Sequence, residues 1–344
     1  MPSAADGHVP HNRLGIDYAD LSCRKYAGPI ADIHTHVKSV AEARTFFAAA
    51  DTYGIGPVVS MTPLDQVPAL REAYGARLGF IAVPNWRAHE RTEAFRASWV
   101  RDLATFRELG ARFCKFWMAP PMRGNWGLTL EHEFLRPVID RAMDLGFAFM
   151  THIGDPVEWF APGGRYGDPA QFGTKAAQYD QLEWFLEYVA PRMVIGAHFG
   201  GSIEDTGRLT RLLERYPHYM LDSSATKWIV RGVAAQPEAV RELLLRFPDR
   251  VLFGSDLVTD GKYDFDHYAS RWWAHMIMWE TAHRGESPID DPDADGPPRL
   301  VGVDLPVTVL ARLYWLNAVR IGLVDRQQAQ GGASGGLAAA DAAP

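Results

Sequence analysis

Residues 29–37 read PIADIHTHV, and this stretch decides the fold. It is a short apolar run opened by a proline and closed by polar residues, the pattern of a buried strand rather than of a helix. Seven further runs follow: PVVSM around Val58 to Met61, LGFIAVP ending at Pro84, ARFCKFW ending at Trp117, GFAFMTH ending at His152, MVIGAHFGG ending near His198, HYMLDSSA ending at Ser223, and RVLFGSD ending at Asp256. Segments of helical period separate them, over Val40–Ala50, Leu64–Tyr74, Glu90–Leu109, Leu130–Leu145, Ala176–Val189, Ile203–Arg215, Pro237–Phe247 and Asp266–His283, and Val307–Gly322 would close the ring. Parallel strands need crossovers of about this length, so eight repeats predict an α/β fold, the (β/α)8 TIM barrel. A doubly wound open sheet competes, but the chain has neither G-x-G-x-x-G after its first strand nor G-x-x-x-x-G-K-[ST]. Two segments exceed a short connection, Asp155–Gln178 after strand 5 and Arg284–Pro306 after strand 8. Both are predicted as long loops with a functional or covering role.

Around that core the reading assigns residues 1–28 to an extended lead-in, 29–325 to one metal-dependent barrel, and 326–344 to a disordered Gly/Ala-rich tail. The 344 residues carry 35 Lys and Arg against 42 Asp and Glu, a formal charge of −7. That mild acidity speaks against nucleic acid, which selects a basic face, and against a polybasic membrane-surface protein. No stretch approaches 18 apolar residues and the first residues lack a secretory pattern, so the expectation is no membrane partner and a cytoplasmic location. A homo-oligomer is compatible with the composition. Two cysteines, Cys23 and Cys114, cannot build a four-thiolate site, so any metal falls to His, carboxylate or modified Lys.

The histidines are where the chemistry concentrates. Strand C-terminal ends hold about 5% of a chain this size, so chance places on the order of half a histidine there. His34, His36, His152 and His198 all fall on such ends, and Asp256 ends the eighth run in the same way. A barrel brings those ends to one mouth, and residues two apart on a strand share a face, so His34 and His36 aim at one point. A single strand histidine is ordinarily a core residue. Four with an aspartate are the ligand set of a borderline divalent ion such as zinc, iron, manganese or cobalt. His8, His11, His89, His132, His218, His267, His275 and His283 fall in leader, helix, loop or strand-start positions and are read as structural or solvated.

Lys115, at the end of the fourth run between Cys114 and Phe116, faces the same mouth. There a lysine can bind an anion, act as a base when desolvated, or carry a carbamate that bridges two metals.

These motifs together resemble the amidohydrolase superfamily of metal-dependent hydrolases, and in particular its branch related to aminocarboxymuconate-semialdehyde decarboxylase. They are DIHTH at Asp32–His36, THIGDP around His152, GAHFGG around His198 and LFGSD at Asp256. The resemblance implies that His34, His36, His152 and Asp256 hold a divalent metal (Zn, Fe or Mn, one or two per chain). His198 then either polarises substrate or joins a second metal, and Lys115 stands where binuclear members carry a carboxylated lysine. Catalytic roles would fall to Asp256, His198 and Lys115, with Asp32 in support through a hydrogen bond.

Trp117, Met118, Arg123, Trp159, Tyr166, Lys175, Asp222, Lys227 and Trp228 follow strands or lie in the long loop, so they are expected to contact substrate. Aromatic side chains on active-face loops suggest a bulky apolar small-molecule substrate, and the cations suggest that it is anionic. The leading expectation is hydrolysis of an ester, lactone, amide or thioester. Non-oxidative decarboxylation and iron-dependent hydroxylation on the same fold compete with it, because a fold does not fix chemistry.

Overall fold

The structure is a computed structural model that describes residues 10–85 and 91–331. His8 and His89 therefore lie outside the described residues, as do residues 332–344 of the expected tail. Nine strands build the centre: β1 Ile30–His36, β2 Ile55–Ser60, β3 Leu78–Phe80, β4 Phe113–Trp117, β5 Ala148–His152, β6 Val194–Gly196, β7 Tyr219–Asp222, β8 Val251–Leu252 and β9 Leu257–Val258. They run in parallel in two arcs, β3-β2-β1-β9 and β4-β5-β6-β7-β8. Backbone bonds join the arcs at both seams. Ala82 N donates to Phe113 O at 2.8 Å and Lys115 N to Ala82 O at 2.9 Å, while Ile33 N donates to Phe253 O at 3.0 Å and Asp256 N to His34 O at 2.8 Å. The architecture is the TIM barrel read from the sequence.

The strands are buried along nearly their whole length, with β1 concealed from Ile30 to Thr35. Both faces are covered, one by the barrel interior and one by helices, which is why the runs are continuously apolar rather than alternating. Helices start where short polar side chains cap them: Ser39 accepts from Glu42 N at 3.4 Å, Thr92 from Phe95 N at 3.1 Å, Asp205 from Arg208 N at 2.8 Å and Asp264 from His267 N at 2.9 Å. Each such cap is worth about 1 kcal/mol.

Several elements depart from the sequence expectation. The eighth strand is split into β8 and β9, because Asp256 between them adopts a left-handed φ of 63° that no extended run tolerates. Helices stand where loops were expected, Pro120–Trp126, Thr226–Ala235 and, inside the loop Asp155–Gln178, Pro169–Phe172 after a 3-10 turn at Val157–Phe160. Each is too short, or too close to its strand, for periodicity to separate from a loop. Arg284–Glu286 and Arg299–Val301 pair antiparallel, so the second long loop is a hairpin. Arg326–Gly331, assigned to the tail, forms a 3-10 turn in which Gln328 N donates to Asp325 O at 3.0 Å. Among its described residues the lead-in has no regular element, yet Tyr18 and Tyr26 are buried in the core. Glu280, also buried, fastens it by accepting from Lys25 N at 2.7 Å and Tyr26 N at 2.8 Å, with Tyr314 OH at 3.1 Å on its other oxygen.

Candidate active site

The mouth of the barrel is built from the C-terminal end of β1 outward. His34 and His36 share one face of the strand, as residues two apart do. His34 is fully buried and His36 half-buried. Both present Nε2 to Asp256 Oδ1, at 3.2 Å and 3.1 Å. The three donor atoms lie within 4.8 Å of one another.

What aims His34 is a carboxylate beneath it. Asp222, at the end of β7 and without exposure, accepts from His34 Nδ1 at 2.7 Å. That bond commits Nδ1 and leaves Nε2 as the donor toward the mouth. The other oxygen of Asp222 accepts from His198 N at 2.9 Å and Ser224 N at 3.0 Å. Burial alone would raise the Asp222 carboxyl, but the His34 and His198 imidazoles and the Ser224 hydroxyl hold it below the usual carboxylate range. Asp222 was expected at the substrate; both its oxygens are committed to His34, His198 and Ser224, so it supports the imidazoles. Burial likewise opposes ionisation of Asp256, and His198, His34 and His36 overcome it, so this carboxyl also stays ionised. His36 is pushed down to about 4 by burial, which keeps it neutral near pH 7.

Lys115 reaches the same point from β4, with Nζ 2.8 Å from His34 Nε2 and only 3% of the residue exposed. Burial lowers its amine, against the pull of Asp256 and Asp222. His152 is oriented otherwise. Its Nε2 lies 2.7 Å from Asp155 Oδ1 and its Nδ1 lies 3.2 Å from His198 Nε2, so the structure places it beside His198 rather than among the three converging donors. Tyr166 OH donates to the second oxygen of Asp155 at 2.8 Å.

His198 follows β6 in a left-handed turn: His198, Phe199, Gly200 and Gly201 have φ of 58°, 51°, 59° and 67°. Non-glycine residues avoid this region at a cost of about 1–2 kcal/mol each. Strained residues of this kind cluster at functional sites. His198, Phe199, Ala225 and Asp256 do so here, whereas Asp304 is remote in sequence from them. Burial lowers the His198 imidazole well below its usual range, and Nδ1 meets Ser224 Oγ at 2.7 Å.

Asp32 is buried beneath the mouth and accepts from Trp272 Nε1 at 2.9 Å and Ser255 N at 3.0 Å. Burial raises its carboxyl to about 6. It acts through the backbone next to Asp256 rather than on an imidazole ring.

The expected substrate contacts divide. Trp117 and Trp228 stand edge-on to His152, each with ring centroids 6.2 Å away, and Trp228 also meets His198 at 5.4 Å and Trp159 at 5.1 Å. Tyr166 packs on Trp159 at 5.9 Å. A cavity of about 500 Å³ opens beside His198 and Trp228, with Lys227 on its wall. Three others are engaged within the protein. Met118 is 2% exposed and interior. Arg123 donates to Ala177 O at 3.3 Å and packs under Gly173. Lys175 is engaged with Glu204 at 3.1 Å and with the carbonyls of Asp155 and Gly201. Sequence reasoning missed Asp155 and Ser224. Asp155 stands three residues after His152 in THIGD, and Ser224 two after Asp222, and those spacings were the available signal.

Imidazole and carboxylate donors converging from separate strand ends, with the ring tautomer of His34 set from below, fit a divalent ion. The fold and this donor set define a metal-dependent enzyme of the TIM-barrel class. The chain belongs to the amidohydrolase family, whose family model, described as "Amidohydrolase", matches residues 13–321. Solved structures of the same fold include 2,6-dihydroxybenzoate decarboxylase from Rhizobium, 12% identical, covering 86% of this chain and 98% of that one, with a TM-score of 0.51. Another is 5-carboxyvanillate decarboxylase from Sphingomonas paucimobilis, 12% identical over 87% of this chain and 100% of that one, TM-score 0.52. The 5-carboxyvanillate decarboxylase of Novosphingobium aromaticivorans, complexed with manganese and 4-hydroxy-3-methoxy-5-nitrobenzoic acid, is 12% identical over 87% of this chain and 97% of that one, TM-score 0.52. No curated protein matches the chain. Among the described residues, no helix is long and apolar enough to cross a membrane.

Proposed function

We propose that this enzyme hydrolyses a carbonyl-type bond, an ester, lactone, amide or thioester, of a bulky apolar substrate, with His34, His36 and Asp256 holding the metal. The observation that carries the reading is the convergence of His34 Nε2 and His36 Nε2 on Asp256 Oδ1, at 3.2 Å and 3.1 Å. A bound divalent ion supplies Lewis acidity at that point, lowering the pKa of water from 15.7 to about 7. The chain's residues do the rest. Asp256, with Oδ1 committed to the two imidazoles, takes a proton from water at Oδ2 and returns it to the leaving group. His198 is neutral, with Nδ1 on Ser224 Oγ and Nε2 3.2 Å from His152 Nδ1, and this imidazole pair donates to the developing oxyanion when substrate takes the place of that contact. Trp117, Trp159 and Trp228 exclude bulk water and strengthen those interactions.

The test is metal dependence. Chelator-treated protein should lose activity on an ester and lactone panel and regain it with one or two equivalents of zinc, manganese or iron. Full activity in the His34→Ala, His36→Ala double variant overturns the reading.

A second reading rests on the composition of the converging set. Two imidazoles and one carboxylate with open positions are also the donor set of non-haem ferrous oxygenases. Anaerobically purified protein that carries iron and consumes oxygen only with substrate would move the conclusion to hydroxylation. Carbon dioxide release without incorporation of label from solvent water would move it to decarboxylation.

A further inference from the structure

The cavity beside His198 lies to one side of the converging donors. Its walls come from four places: the loop after β5 at Pro156–Glu158, the turn after β6 at Gly201–Glu204, the helix Thr226–Ala235, and the connection inside the hairpin from Ser287 to Arg299. At about 500 Å³ it falls within the 300–1,000 Å³ of small-molecule sites. Trp228 and His198 both line it and both pack on His152, so the cavity adjoins the mouth at those rings. It is a lateral chamber next to the mouth.

Four branched aliphatic side chains line it, Ile203, Ile229, Val230 and Ile289, and all but the last lie on the turn or the helix beside His198. Several of its charged side chains are paired within the protein. Arg231 is held between Glu158 at 2.5 Å and Asp291. Burial and Arg271 lower the Lys227 amine, against the pull of Asp291, Asp290 and Asp293. Glu204 is taken by Lys175 at 3.1 Å. The lining acids Asp155, Glu158, Glu204, Asp291, Asp293 and Asp295 outnumber the cations Lys227, Arg231 and Arg299, and still do with Lys175 behind Glu204. A ligand anion there would have to displace a carboxylate from its arginine or sit among the surplus acids, and like charge in a partly desolvated site is costly.

We infer that this chamber binds the non-reacting part of the substrate as a bulky, uncharged hydrocarbon body, and that it discriminates against a carboxylate on that body. This departs from the anionic substrate expected from the sequence, of whose cations Lys175 is held by Glu204 and Arg123 by the carbonyl of Ala177. The inference rests on the mouth being the reaction site, but its test does not require turnover.

The measurement is isothermal titration calorimetry of the purified, metal-loaded enzyme with two cage compounds of the same skeleton, 1-adamantanol and adamantane-1-carboxylate. The neutral compound should bind, and the carboxylate should bind at least tenfold more weakly. Filling the chamber by Ala234→Phe, or from the opposite wall by Ala294→Trp, should weaken the neutral compound at least tenfold in whichever variant keeps the wild-type circular dichroism. Equal or tighter binding of the carboxylate, no binding of 1-adamantanol, or unchanged affinity in both folded variants overturns the inference. Loss of hydrolytic activity with intact binding would count against the proposed reaction and not against the chamber.

Discussion

Asp222 illustrates what a single buried carboxylate does at this mouth. It ties His34 on β1 to the backbone of His198 after β6 and to Ser224 after β7, so three barrel segments share one anchor. Replacing it by Asn keeps the volume but removes the charge that favours a proton on His34 Nδ1, and the tautomer that leaves Nε2 free is no longer enforced. Hydrogen-bond partners of this sort are worth about 10- to 100-fold in metal affinity. The Asp222→Asn variant should fold, as judged by circular dichroism, and lose metal affinity by about that factor in a competitive chelator titration. An unchanged dissociation constant would show that His34 is aimed by something else. The sequence placed Asp222 at a strand end and so near the mouth. It could not show that the side chain points down, because depth along a barrel depends on the stagger of neighbouring strands and not on one strand's pattern.

The turn that carries His198 is the element where local rules are broken most. Its glycines are placed where the backbone comes closest to its neighbours: a Cβ on Gly201 would lie 2.2 Å from Ile153 O and 2.6 Å from Gly154 O, on a residue with φ of 67°. Gly201→Ala therefore combines left-handed strain of about 1–2 kcal/mol with a clash against backbone, and the turn must move. We expect a lower Tm and, because His198 moves with the turn, a kcat reduced more than stability alone explains; a variant with wild-type Tm and kcat contradicts this account of the turn. The GAHFGG motif was visible, but its conformation was not, since two non-glycine residues with positive φ run against residue preference. The regular elements were legible for the opposite reason. Eight apolar runs, seven periodic segments between them and Ser, Thr or Asp at several helix starts agreed with one another, and this agreement across levels makes a barrel readable. The hairpin and the helix Thr226–Ala235 escaped because their residues carry competing signals: Pro292, Pro297 and Pro298 mark a loop in the first, and Ala225 enters the second through a φ of 69° that no residue pattern announces. That helix mattered for function, because it turns Lys227 and Trp228 from loop residues into one wall of the chamber.

At the scale of the molecule, the barrel stores both a dependence on metal and a dependence on pH. An ion that binds the folded mouth and not the unfolded chain stabilises by about 2.7 kcal/mol at 100 times its dissociation constant. Thermal unfolding should therefore shift upward on metal addition in the wild type, and not in the His34→Ala, His36→Ala variant. The acid side is set in part by His275, which is fully buried between Phe253 and Trp279 and has Nε2 3.1 Å from Thr226 Oγ1. Burial pushes its imidazole down to about 3 from 6.5. The unfolded chain thus binds this proton at a higher pH than the folded one, and stability falls as pH drops through the window from about 6.5 toward 3, by up to about 1.4 kcal/mol per unit. His275→Gln should flatten that slope in urea titrations between pH 7 and 4; an unaltered slope would assign it to other groups. The buried Glu280 sets a further limit of a practical kind. Because its partners include the backbone of Lys25 and Tyr26, trimming the chain to the first barrel strand would strand a carboxylate inside the protein with only Tyr314 and no main-chain donors. The shortest version that can be produced on its own is accordingly one that keeps the segment before Pro29, and a purification tag belongs upstream of it rather than in its place.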